Sequence, residues 1–280
     1  MKKVVAVFLF ALLGLGPKAY ALIFALDFAE VDEWKFVEVG GDSRFDTDEI
    51  TVAAWIKPTS LPTGQGINEG RSTIIWNGNQ ASAHDPYIFY INEYGALEAH
   101  VDFDSGGGAF ITDTTPVSLN EWHYVALVID ESVLQLYLDG NLMEELTHNN
   151  GPAVKGYSHV AIGRHRYYEN PFGGLMDEVQ IWDMALTDQD IRNIMYAELT
   201  GSESGLVAYW NFNEGSGQVV YDSTSNQIDG RLGVNLSIES YDPLWVLSDR
   251  PPASIPDASM LLLIGSASLV GVGFRMRPKK

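Results

Sequence analysis

Short runs of strand-forming residues, closely spaced and separated by turn signals, constrain this chain more than anything else in it. Thr51–Lys57, Ser72–Trp76, Tyr87–Asn92, Ala96–Asp102, Glu121–Ile129, Leu134–Leu138 and Val160–Gly163 are apolar, aromatic and β-branched. Between them stand Asn77-Gly78, Glu93-Tyr94-Gly95, Ser105–Gly108, Asp139-Gly140-Asn141 and Asn149-Asn150-Gly151, all turn chemistry. Many short strands at close spacing predict an all-β fold of two antiparallel sheets packed as a sandwich. The stretch Phe172–Met195 adds the single good helix. Gly173-Gly174 frees the backbone for a turn, and Met176–Trp182 alternates as a strand with two mixed faces. Thr187 is then a fitting N-cap, with Asp190 three residues on and Ile191, Ile194 and Met195 on one stripe, so a helix is predicted over Asp188–Tyr196.

Phe172–Met195 reads FGGLMDEVQIWDMALTDQDIRNIM. It resembles the closing strand and helix of the laminin-G-like (concanavalin A-like) jelly-roll family. Other segments fit the same resemblance in the family's order. Ala25-Leu26-Asp27-Phe28 with Phe36-Val37-Glu38-Val39 is similar to its opening strand pair, and Ile50–Pro58 (ITVAAWIKP) to its next strand. Glu121–Val128 (EWHYVALV) and Leu136–Gly140 (LYLDG) are similar to its later strand and hairpin. These motifs run from Leu22 to Met195. Leu206–Gly217 and Tyr221–Asn226 resemble a further segment of the same family, so 201–247 is expected to be an extension that packs on a jelly roll of 22–200. With few apolar positions, such a segment would be marginal alone.

The ends carry processing signals. Lys2-Lys3, an apolar run from Val4 to Leu15 and Ala19-Tyr20-Ala21 form the pattern of a secretory signal peptide over 1–21, cut by signal peptidase after Ala21. Ser248–Ser259 is a Pro-rich linker. An apolar stretch, Met260–Phe274, follows, and then Arg275, Arg277, Lys279 and Lys280. This hydrophobic, basic-tailed end (260–280) resembles the PEP-CTERM sorting tail read by exosortases of Gram-negative bacteria, with Ile255-Pro256-Asp257-Ala258 at the position of its short motif. The alternative is a plain transmembrane anchor in the inner membrane. Both place the domain outside that membrane, at the cell envelope or in the extracellular matrix.

The net charge is −20, and seven of the 17 basic residues (Lys2, Lys3, Lys18 and the four just named) sit in the two ends, so the body is more acidic still. Such a body repels phosphate backbones, which argues against nucleic acid as a partner. The absence of cysteine removes disulfides and thiol chemistry. The glucanases of this superfold carry Glu-x-Asp-x-x-Glu on one strand. The nearest match, Glu30-Val31-Asp32-Glu33-Trp34-Lys35, ends in lysine. Asp177 and Glu178 are adjacent, and strand alternation predicts that they point to opposite faces. No nucleophile elbow flanks a serine. The family resemblance implies a structural Ca²⁺ held by Asp177, with Asp27 or backbone carbonyls of the opening segment as partners; oxygen ligands suit that ion. Scattered histidines do not suit zinc.

Two loops concentrate binding chemistry. Arg164, His165, Arg166, Tyr167 and Tyr168 precede the closing strand, and His84, Asp85 and Tyr87 form the other group. Tyrosine stacks on sugars, and arginine pairs with carboxylates. The expected function is therefore an exported carbohydrate-binding or protein-binding module of adhesion type, not an enzyme, with polysaccharide or a surface protein as partner. A diverged glycoside hydrolase is the alternative.

Overall fold

The computed structural model describes residues 22–29, 35–62, 70–78, 84–156, 159–165, 171–240 and 242–251. The signal peptide, the sorting motif Ile255–Ala258 and the apolar tail lie outside the described residues, as do Arg166, Tyr167, Tyr168 and residues 30–34.

In chain order the strands are β1 Phe24–Asp27, β2 Val37–Gly41, β3 Ile50–Pro58, β4 Arg71–Gly78, β5 Tyr87–Asn92, β6 Ala96–Asp102, β7 Gly108–Pro116 and β8 His123–Ile129. There follow β9 Val133–Leu138, β10 Asn141–Thr147, β11 His159–Ile162, β12 Gly174–Trp182, a helix α1 over Asp188–Met195, β13 Leu206–Trp210, β14 Val219–Val220, β15 Gly230–Leu232 and β16 Leu244–Leu247. They build two eight-stranded antiparallel sheets. The first runs β10-β9-β8-β3-β12-β1-β16, with β13 also on β12; the second runs β14-β15-β2-β11-β4-β5-β6-β7.

Alternation sorts the side chains. Val52, Ala54 and Ile56 of β3 and Val125, Leu127 and Ile129 of β8 face Tyr87, Phe89 and Ile91 of β5 and Leu97, Ala99 and Val101 of β6 across one continuous core. The opposite faces of β3 and β8 are apolar too, which reads as strands covered on both sides. Trp55, Tyr124, Ala126 and Trp182 form a second cluster beneath Ile191, Ile194 and Met195 of α1. Thr187 and Asp190 cap this helix reciprocally, as their spacing predicts. Trp55 Nε1 donates to the Met195 carbonyl at 3.1 Å, which ties the helix end to the sheet.

Three features differ from the sequence expectation. Strands β7 and β10 are edge strands of the two sheets, one in each, and both carry polar residues on exposed positions, so their alternation is faint. Asn77-Gly78, a turn signal in sequence, continues β4, where Gly78 pairs with His159. Finally, the 201–247 segment contributes to both sheets: β13 pairs with β12, β15 with β2 and β16 with β1.

Candidate functional site

The outer face of the second sheet gathers the polar and aromatic side chains that the core rejects. On β5, β6 and β7 the odd positions point inward, leaving Ile88, Tyr90, Asn92, Glu98, His100, Asp102, Phe110 and Thr112 outward. Pairing places Arg71 opposite Asn92, Tyr90 opposite Glu98 and His100 opposite Phe110.

Glu98 is the hub. Its Oε1 accepts from Arg71 Nε at 3.0 Å, Arg71 Nη2 at 2.7 Å and the Tyr90 hydroxyl at 2.7 Å, and its Oε2 accepts from Asn92 at 3.3 Å. Burial alone would raise its carboxyl, but the bonds from Tyr90 and Arg71 outweigh burial and hold it below the usual range. Burial, reinforced by the Glu98 charge, pushes the Tyr90 hydroxyl well up. The Arg71 guanidinium lies between two rings, 5.0 Å from the Tyr90 centroid and 5.4 Å from that of Phe110. Phe110 also stacks on His100, with centroids 4.4 Å apart at 33°. Phe110 is 55 % exposed. Burial lowers His100 in spite of Asp102 beside it, which favours the neutral ring with one donor and one acceptor nitrogen.

The two loops singled out in sequence meet beside this platform. Trp76 Nε1 donates to Asp85 Oδ1 at 2.7 Å, and the Asp85 amide donates to Asp102 Oδ2 at 2.9 Å. His165 packs edge-on against Trp76 at 4.9 Å with its Nε2 3.7 Å from Asp85 Oδ2. His84 and His100 lie 3.8 and 3.5 Å from the Asp102 carboxylate. His84, Asp85 and His165 are thus brought together. Arg164 turns elsewhere, its guanidinium 3.8 Å from the Phe36 ring centroid. Tyr87 is a correction: it shares the inward parity of Phe89 and Ile91 and is a fully buried core residue, not part of a ligand face. Arg71, Tyr90, Glu98, His100, Asp102 and Phe110 were missed. Glu98-x-His100-x-Asp102 carried a readable signal, three polar side chains at period two in an otherwise apolar strand.

The expected metal site has a different chemistry. Glu178 has φ +55°, and the β12–β3 register shifts between Asp177 and Gln180. This bulge overturns the expectation that Asp177 and Glu178 point apart. Both reach one guanidinium: Arg250 Nε donates to Asp177 Oδ2 at 3.0 Å, and Nη2 to Glu178 Oε1 at 2.7 Å. Ser248 donates to Asp177 at 3.1 Å, and the Tyr209 hydroxyl donates to Glu178. Burial, with the neighbouring Glu178 charge, pushes Asp177 up to about 7, and burial raises Glu178 as well. Asp27 Oδ1 accepts from the Ala29 amide at 2.8 Å. A guanidinium in contact with Asp177 repels a second cation, and among the described residues no three His, Asp or Glu side chains are grouped to hold a metal. Arg250 thus already supplies a counter-charge to Asp177.

Comparison with known proteins returns a family model. The model described as the concanavalin A-like lectin/glucanases superfamily, of laminin-G type, matches residues 35–192. Among solved structures, a candidate carbohydrate-binding protein from Bacteroides ovatus superposes with a TM-score of 0.60 at 21% identity. The match covers 84% of this chain and 62% of that one, so this chain spans less than two thirds of its length. The CBM40 module of Ruminococcus gnavus IT-sialidase, bound to α2,3-sialyllactose, gives 0.48 at 16% identity over 62% of this chain and 99% of that one. A pentraxin from Limulus polyphemus gives 0.46 at 16%, over 63% and 83%. At these identities the likeness is one of fold.

Proposed function

We propose that this chain, which belongs to the concanavalin A-like lectin/glucanases superfamily, is a non-catalytic carbohydrate-binding module whose ligand lies on the outer face of the second sheet. One observation carries the reading: the solvent-facing ring of Phe110, backed by His100 and Arg71 and flanked by fixed polar groups. A sugar has an apolar face for such a ring and hydroxyls for the groups around it. Those groups are held in place before any ligand arrives, because Arg71, Tyr90, Glu98 and Asn92 already bond one another.

The same bonding argues against Glu98 as the acid of a hydrolytic pair. A glycosidase needs two carboxyls about 5 to 9.5 Å apart, one of them able to hold a proton at working pH. Glu98 is held ionised by Arg71 and Tyr90. Asp102, four residues along the strand, starts from a backbone position about 13 Å away. Asp177 and Glu178 are close together, but they are buried under Arg250 on the other sheet, away from this face. The exported, envelope-sorted life of the protein rests on the sequences of 1–21 and 255–280, with polysaccharide of the cell surface or matrix as the partner. Among the described residues no helix is long and apolar enough to cross a membrane.

The test is retention of the purified protein on immobilised polysaccharides, with Phe110→Ala alongside. Loss of the stacking ring should weaken binding about fivefold or more, taking as the scale the about 1–3 kcal/mol that a nucleobase gains by stacking on an aromatic side chain, and leave the melting temperature unchanged. Retention on every matrix that ignores Phe110→Ala would move the site off this face.

A further inference from the structure

The outward row that contains Phe110 continues across the whole second sheet. In register, Phe110 stands opposite His100, His100 opposite Ile88, Ile88 opposite Trp76, Trp76 opposite Ala161, Ala161 opposite Glu38 and Glu38 opposite Arg231. Asp85 and His165 close over the middle of this row at Trp76, and it opens again at its far end. There a groove of about 530 Å³ is lined by Glu38, Gly40, His159, Val219, Asp229 and Arg231.

Its chemistry suits a sugar. The Glu38 carboxylate is nearly buried at the floor, with its Oε1 against His159 Nε2, which fixes an acceptor in place. Arg231 and Asp229 are exposed at the rim. Gly40 has φ +87°, and a Cβ built there would meet nothing within 4 Å, so a ligand can approach bare backbone. Val219 adds an apolar contact. Hydroxyl groups satisfy an acceptor on the floor and donors on the rim together, whereas an anionic chain meets Glu38, Asp229 and a strongly acidic body.

Val219, Asp229 and Arg231 belong to the extension beyond the region that matches the family, 35–192. We infer that this extension builds a second sugar subsite, and that the ligand is an internal stretch of a neutral polysaccharide lying across the strands from Phe110 to Arg231. Six strand spacings separate the two ends, about 29 Å, a span that no mono- or disaccharide covers. The inference rests on the assignment of the Phe110 face to glycan.

Affinities for neutral xylo-, arabino- and laminari-oligosaccharides of increasing length test it, with Phe110→Ala and the surface variant Arg231→Ala compared with the parent. Affinity for the bound series should climb with length until both ends are reached. Arg231→Ala should lower it about tenfold for the long members, the scale of a lost charge-assisted bond, and leave the short ones unchanged. Phe110→Ala should weaken both. Length-independent affinity, or long chains indifferent to Arg231→Ala, would overturn the second subsite while leaving the Phe110 face in place. Tighter binding of polygalacturonate than of every neutral series would overturn the neutral class. Failure of Phe110→Ala to alter any binding removes the face and this inference together.

Discussion

Removing Arg250 is the sharpest perturbation of the fold. Its guanidinium is buried with 5% of its side chain exposed, and it faces two carboxylates whose side chains are 1% and 11% exposed. In Arg250→Ala, Asp177 and Glu178 lose their only cation among the described residues and stay covered by Trp55, Tyr124 and Tyr209. Breaking a buried pair from one side costs about 3–5 kcal/mol, because the partner left behind remains desolvated. For a domain of this size that is a drop of roughly 6–20 °C in melting temperature, at about 2–4 °C per kcal/mol. The sign of the pH dependence follows from Asp177. Its folded carboxyl is raised to about 7 from the usual carboxylate range. What the group contributes to stability is therefore greatest below its unfolded pKa and is lost as the pH rises toward 7. A protonated carboxyl needs no counter-ion, so the penalty in Arg250→Ala should be largest at pH 8 and shrink toward pH 5. Equilibrium urea unfolding at both pH values reads this directly. A loss below about 1 kcal/mol at pH 8, or a larger loss at pH 5 than at pH 8, would refute the argument.

Two further outcomes follow. Thr187→Ala removes the hydroxyl half of the reciprocal cap on α1, the acceptor for the Asp190 amide, and leaves the backbone amide of residue 187 donating to Asp190; it should cost about 1 kcal/mol in urea unfolding, without altering glycan retention. Addition of EDTA should leave the melting temperature unchanged, because Arg250 already neutralises the carboxylates at which the family resemblance places calcium; a drop of several degrees that calcium reverses would contradict this.

What was legible in the sequence was whatever is local and repeats. Buried strands such as Ala96–Asp102 declare themselves by apolar content, and the helix by a cap three residues from its partner. Edge strands have one neighbour and little to bury, so β7 hides in the polar run from Gly108 to Pro116, and with it Phe110. Orientation was lost wherever the backbone departs from regular alternation. Glu178, at φ +55°, joins Asp177 on one face, which period two forbids. The assignment of Tyr87 failed for a simpler reason: a tyrosine beside a polar loop looks like a ligand contact until the parity of Phe89 and Ile91 is applied to it. The partner of Asp177 could not be read at all, since Arg250 lies 73 residues away and no pattern links the two.

The two outer faces of the sandwich are built for opposite purposes, and this decides where a ligand can go. The outer face of the first sheet is covered over β3, β8 and β12. Helix α1 covers Trp55, Tyr124 and Trp182, and Arg250 closes over Asp177 and Glu178. A ligand there would have to displace packed apolar surface, at about 25 cal/mol for each Å², and break a buried ion pair as well. On the second sheet the outward polar groups are satisfied by one another along the strands, and among the described residues no element is packed over Phe110. Its exposed ring gains by being covered, and the groups beside it lose nothing if they keep their existing bonds and offer their remaining donors and acceptors to hydroxyls. Binding on this face therefore requires no rearrangement of the fold, so the crystal structure of a complex should superpose on the free protein at every strand of the second sheet.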